Sequence, residues 1–100
     1  MAAEPAAAMR LDRFLWYARL AKTRPSAQAL AASGHVRIDG RAVDRAAAPV
    51  RVGNVLTFAD HRGRVHLLRI EALPARRGPA AEARLCYADL ANVSQAVPGD

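Results

Sequence analysis

Residues 22–26, Lys-Thr-Arg-Pro-Ser, separate two helix-patterned stretches, and this short polar joint constrains the fold more than any other feature of the chain. Before it, Leu11, Phe14, Leu15 and Ala18 recur at i, i+3, i+4 and i+7, one stripe of a helix. Arg10, Arg13 and Tyr17 fall together on another face. Leu20 drifts off the stripe, so the first helix is expected to end near it. After the joint, Ala27, Leu30 and Ala31 form a narrow apolar face that runs to Gly34, a residue suited to the left-handed turn that closes a helix. Thr23 is placed to cap the second helix with its hydroxyl, and Pro25 is tolerated in a first turn. With so little chain between them, the two helices must form a compact corner.

Beyond the corner the period changes. Val36 and Ile38 alternate with His35 and Arg37, as in a half-buried strand, and Asp39-Gly40 is a strong hairpin-turn signal. Residues 46–49 read as a loop. A turn at Gly53-Asn54 leads into a strand through Val55 and Phe58, a turn follows at 60–64, and "VHLLRIEAL" reads as a long strand. Residues 74–80, "PARRGPA", break the pattern. A short helix fits the segment after them, with Ala83, Cys86, Tyr87 and Leu90 on one stripe. The expected organisation is a disordered tail over 1–8, one domain over 9–73, a linker and short helix over 74–90, and a frayed tail over 91–100. The fold class is α+β: a two-helix corner packed on a small, mainly antiparallel sheet, with a short C-terminal helix.

Composition narrows the function. One hundred residues suit one domain with a modest core, and 24 of them are alanine, which adds little burial. The single Cys86 excludes an intrachain disulfide and a thiolate metal cluster, which suits a reducing cytoplasm. No run approaches a membrane span, and the first nine residues do not read as a signal peptide. Lys and Arg outnumber Asp and Glu by 15 to 9, a net charge of +6, and 14 of the 15 cations are arginine. The planar arginine fork matches phosphate oxygens, so an acidic partner is expected, nucleic acid foremost.

Placement sharpens this. Lys22 and Arg24 flank the start of the second helix, where free N–H groups, the dipole and the hydroxyls of Thr23 and Ser26 would suit a phosphate. Arg10 and Arg13 leave the neighbouring helix, or pair with Asp12 or Asp44. His35 and Arg37 point off the first strand. If the corner packs on that sheet, these residues converge into one basic patch. Asp12 reads as a helix-start residue. Trp16 reads as packing at the core or its edge. Ser26, His35 and Asp39 supply the residue types of a hydrolytic triad, but no spacing aims them at one another. His61 and His66 make a weak metal signal, and no catalytic constellation, metal site or cofactor is expected.

"RLDRFLW", "KTRPSAQAL", "SGHVRIDGRAV" and "VRVGNVLTF" together resemble the S-four-type RNA-binding module, first recognised in the fourth protein of the small ribosomal subunit, over about residues 9–60. "FLWYARLAKTR" and "RRGPAAEARLCYADL" are similar to the bacterial family of ribosome-associated fifteen-kilodalton heat shock proteins. The resemblance implies a cytoplasmic protein that binds structured RNA across the corner and first strand, without chemistry. It implies the large ribosomal subunit as partner and a stress-response role in handling stalled subunits. Carried over by position, the RNA contacts are Arg10, Arg13, Lys22, Thr23, Arg24, Gln28, His35 and Arg37. Two departures stand out: Asp39 puts a negative charge where many members have Asn, and the long basic extension of some members is absent. The alternatives are a module guiding a separate RNA-modification enzyme, or a DNA-binding adaptor using the same face.

Overall fold

The computed structural model describes residues 7–60 and 62–90. In chain order the elements are β1 Met9–Arg10, α1 Leu11–Tyr17, α2 Arg24–Ala32, β2 Val36–Ile38, β3 Arg41–Val43, β4 Pro49–Val50, β5 Val55–Ala59, β6 Val65–Ile70, α3 Ala80–Arg84 and β7 Tyr87–Asp89. Of the expected tail over 1–8, residues 1–6 lie outside the described residues, as do His61 and the expected tail over 91–100.

The α1 stripe is buried as its spacing demands: Leu11, Phe14, Leu15 and Ala18 are all at most 1% exposed. The first N–H groups of this helix would be orphans. Two of them find carbonyls in the loop before β4, with Leu11 donating to Ala48 at 2.8 Å and Asp12 to Ala46 at 3.1 Å. The β1–β4 pair, Met9 opposite Val50 and Arg10 opposite Pro49, fixes the same junction. Residues 46–49 are therefore more than the loop expected from sequence: Pro49 enters a strand, and Ala48 and Val50 join the core.

At its far end α1 closes in a Schellman arrangement. Leu20 donates to the Leu15 carbonyl at 2.9 Å and Arg19 to that of Trp16 at 3.1 Å. The left-handed position is held by Arg19, at φ 60°. A side chain there costs roughly 1–2 kcal/mol. A hydrogen bond from Arg19 Nε to the Gly78 carbonyl, at 2.7 Å, holds it in place.

Thr23 caps α2. Its Oγ1 accepts from the Ser26 N–H at 3.1 Å, and Ser26 Oγ accepts from the Thr23 N–H at 3.2 Å, a capping box with serine in the third position. Ala27 and Ala31 are fully buried. Their small size lets α2 lie close against α1 and completes the corner.

The sheet is fully antiparallel, in the order β3-β2-β5-β6-β7. Asp39 (φ 52°) and Gly40 (φ 83°) form the two-residue turn between β2 and β3, both in the left-handed region that such a hairpin needs. Val36, Ile38, Leu56, Phe58, Leu68 and Ile70 join the helices' core from one face of the sheet. Arg37, Thr57 and Leu67 stand in register on the other.

One expected element differs. The helix after residue 79 stops at Arg84, and Tyr87–Asp89 forms β7, paired with β6 through Leu68–Asp89, Arg69–Ala88 and Ile70–Tyr87. The backbone of β6 needs partners along its free edge, and that demand outweighs the helical spacing of Ala83, Cys86, Tyr87 and Leu90. Ala83 and Cys86 still face inward at 4% and 7% exposure, while Leu85 is left 75% exposed.

Candidate nucleic-acid interface

All eight residues expected to touch RNA are exposed. They differ in what the fold already asks of them. Arg10 donates from Nε and Nη2 to the two carboxylate oxygens of Asp12, each at 3.0 Å. Asp12 is buried, and its Oδ1 also accepts the Arg13 N–H at 2.8 Å. Burial pushes the Asp12 carboxyl up, but the Arg10 hydrogen bond and charge, with the Arg13 N–H, outweigh it and hold the carboxyl below its ordinary value. Asp12 thus anchors the start of α1, as its position suggested, and half of the Arg10 guanidinium is engaged there.

Arg13, Arg24 and Gln28 do come together. With Asp12, Trp16 and Tyr17 they line a small cleft of about 70 Å³ between α1 and α2. Lys22 and Thr23 lie immediately before α2 at the same corner. His35 and Arg37 do not line this cleft. Arg37 leaves the sheet face opposite the helices, and its Nη1 donates to the Gly40 carbonyl at 3.1 Å.

At the start of α2 the two hydroxyls are bonded to each other and to the backbone. Thr23 Oγ1 donates to Ser26 Oγ, and Ser26 Oγ to the Thr23 carbonyl, both at 2.9 Å. Pro25 has no N–H, the Ser26 N–H is capped, and the Ala27 N–H bonds the Thr23 carbonyl at 3.0 Å. The hydroxyls of Thr23 and Ser26 thus build the cap. In that turn only the Arg24 N–H is left uncommitted, beside the side-chain cations Lys22 and Arg24.

Asp39 does not set a loose negative charge beside these cations. Its carboxylate accepts from Asn54 Nδ2 and from the Val55 N–H, each at 2.8 Å, tying the β2–β3 hairpin to the turn before β5. Ser26 in the cap and Asp39 in this turn leave no triad with His35. His66 stacks on Phe58 at 5.0 Å, with Nε2 3.0 Å from Asp60 Oδ2, a structural arrangement in the β5–β6 hairpin. Among the described residues no group of three His, Cys, Asp or Glu side chains could hold a metal ion. No helix among them is long and apolar enough to cross a membrane.

Sequence reasoning missed the contribution of residues 74–79. Arg77 Nε donates to the Trp16 carbonyl at 3.1 Å, and its guanidinium lies 5.5 Å from the centre of the Trp16 ring. Arg24 lies over the same ring at 5.6 Å. Trp16 is half-buried, at the core edge as expected, but the segment taken for a linker is fastened to the corner. No local spacing signals a contact across some sixty positions; the adjacent arginines 76 and 77 were the only cue.

A family model described as the S4 domain matches residues 9–56, which run from β1 into β5 and contain the corner and the first hairpin. Heat shock protein 15 of Escherichia coli strain K12 is 32% identical over 91 residues, 91% of this chain and 67% of that protein. The small ribosomal subunit protein uS4 of Limosilactobacillus reuteri is 32% identical over 69 residues, 67% of this chain and 34% of that protein. Among solved structures, the trimeric heat shock protein 15 of Vibrio cholerae superposes with a TM-score of 0.77 at 28% identity, covering 89% of each chain. The likeness to heat shock protein 15 runs past the S4 match, through the segment that carries Arg77, α3 and β7. By sequence and by fold, the chain belongs to the S4-domain family of heat shock protein 15.

Proposed function

We propose that this chain is a cytoplasmic, non-catalytic RNA-binding protein that works on the ribosome, with structured RNA of the large subunit as its target. The observation that carries the reading is the corner itself. Arg13 and Arg24 line one cleft beside Lys22, and the carboxylate in that cleft, Asp12, is already engaged by Arg10 and the Arg13 N–H. An uncompensated set of cations on a preformed helix corner suits the phosphates of a folded RNA, recognised largely by shape. Membership of the heat shock protein 15 family supports a ribosome-associated role, and the rescue of stalled large subunits is the finer form of the proposal. The test is sucrose-gradient sedimentation of cell lysate, with and without heat stress. The protein is expected with free large subunits, and stress should increase that fraction. Sedimentation with small subunits, or only at the top of the gradient, would overturn the assignment. Competition between an RNA stem-loop and duplex DNA should favour the stem-loop. A preference for DNA would point to an adaptor role instead.

A further inference from the structure

The S4 match ends at residue 56, yet the corner carries a cation from well beyond it. Arg77 is half-buried, bonded through Nε to the Trp16 carbonyl, with its guanidinium close to the Trp16 ring that Arg24 also faces. The segment that delivers it is fastened on both sides. Arg19 Nε donates to the carbonyl of the buried Gly78, and Arg76 is drawn to Glu82 at 3.2 Å. Arg76 is therefore neutralised, while neither Arg77 nor Arg24 forms an ion pair among the described residues. One indole thus holds two cations, one from α2 and one from the segment before α3, each attracted by the ring quadrupole. A polyanion bound along the corner would be attracted by both cations. The Nε bond to a fixed carbonyl holds Arg77 in place, and its two terminal nitrogens make no hydrogen bond among the described residues.

We propose that Arg77, held on Trp16 beside Arg24, is a phosphate-binding residue of the RNA interface, so that the segment between the sheet and α3 extends that interface beyond the S4 domain. The inference rests on the RNA-binding reading above. The test uses the full chain and a fluorescein-labelled RNA stem-loop, titrated over a range of salt concentrations, with thermal melts of the same samples. The variants are Arg77→Gln, Arg77→Lys and, as reference, Lys22→Ala with Arg24→Ala. Arg77→Gln is expected to weaken binding and to reduce the log–log salt slope by about 0.7–0.9, one phosphate's worth. Arg77→Lys is expected to restore the slope, since lysine still binds phosphate as a point charge although it loses the Nε bond. If Arg77 only fastens the segment, both substitutions lower the melting temperature and both keep the wild-type slope. That result, together with a reduced slope in the reference variant, overturns the role of Arg77 and leaves the corner's assignment standing. An unchanged slope in the reference variant as well overturns both.

Discussion

The proposed interface places a charge function beside the folding function of the Thr23 cap, and the two are separable by mutation. Lys22→Ala with Arg24→Ala removes two cations and leaves the Thr23–Ser26 box intact. Lys22 is exposed, so its loss should change stability by less than about 0.5 kcal/mol. Arg24 sits over Trp16 at 5.6 Å, an exposed cation–π contact worth about 0.5–1 kcal/mol. The double variant should thus lose at most about 1.5 kcal/mol in all. Thr23→Ala removes the acceptor for the Ser26 N–H, but Ser26 Oγ keeps its bond to the residue 23 carbonyl. That half-broken box should cost about 1 kcal/mol. For a domain of this size, this corresponds to a fall in melting temperature of about 4–8 °C.

Stability changes of similar size leave binding to separate the two variants. About five contacted phosphates give a log–log salt slope of about −3.5 to −4.5. Losing Lys22 and Arg24 should reduce it by about 1.4–1.8 and weaken RNA binding at least about tenfold, or about 1.4 kcal/mol. Thr23→Ala should leave the slope of the folded protein unchanged, because its hydroxyl is committed to the cap. The assay pairs thermal melts with RNA titrations on the three proteins. A double variant that melts early while its folded fraction binds RNA with wild-type affinity and slope would refute the assignment and make the joint a hinge.

Three further outcomes follow from the fold. Gly40→Val should destabilise by more than about 1 kcal/mol through backbone strain alone, since a side chain at φ 83° would meet open space, and an unchanged melting temperature would refute the turn. Asp60 is held down to about 2, first by the His66 hydrogen bond and also by the Arg64 and Arg62 N–H groups, against the opposing effect of burial. A depressed carboxylate contributes stability that is present above its unfolded value, near 4, and lost as pH falls toward 2. Asp60→Asn should therefore flatten the melting temperature across that window, and an unchanged acid limb would refute the role. A chain ending at Gly78 lacks α3 and β7, which uncovers the β6 edge and the contacts of Cys86 with the core. Its melting temperature should fall more than its RNA affinity per folded molecule, and the reverse outcome would make the segment after residue 78 an RNA arm.

The parts of this fold that were legible in sequence are those set by local chemistry. The α1 stripe, the Thr23 cap, the Gly34 stop and the Asp39-Gly40 turn each depend on residues within a few positions, and each stands where its residue types require. Long-range pairing was not legible. Ala80–Arg84 starts as the helix its spacing indicates, but Tyr87–Asp89 obeys the open edge of β6, a feature of the assembled sheet. The short β1–β4 pair exists because the loop before β4 supplies acceptors to the first N–H groups of α1. The end of α1 carries no glycine to announce it. Arg19 takes the left-handed position, with a bond to Gly78 that no nearby residue reveals.

The same distinction governs the interface. The family resemblance nominates eight contacts, but the fold sets prior claims on several. Arg10 is half engaged by Asp12, Thr23 belongs to the cap, and Arg37 is tied to the Gly40 carbonyl on the sheet face opposite the helices. Arg13, Lys22 and Arg24 remain as cations without such claims, with Gln28 as a neutral donor on the same cleft. A net charge of +6 spread over the surface would bind any polyanion weakly and uniformly. A few cations fixed on a rigid corner bind where phosphates match their spacing. The folded geometry of a particular RNA supplies such a match, and the regular repeat of a duplex does so only by coincidence. On the proposed reading, the engaged residues matter for specificity as much as the free ones. Asp12 at the start of α1 and the Thr23–Ser26 box at the start of α2 fix the helix ends from which these cations project.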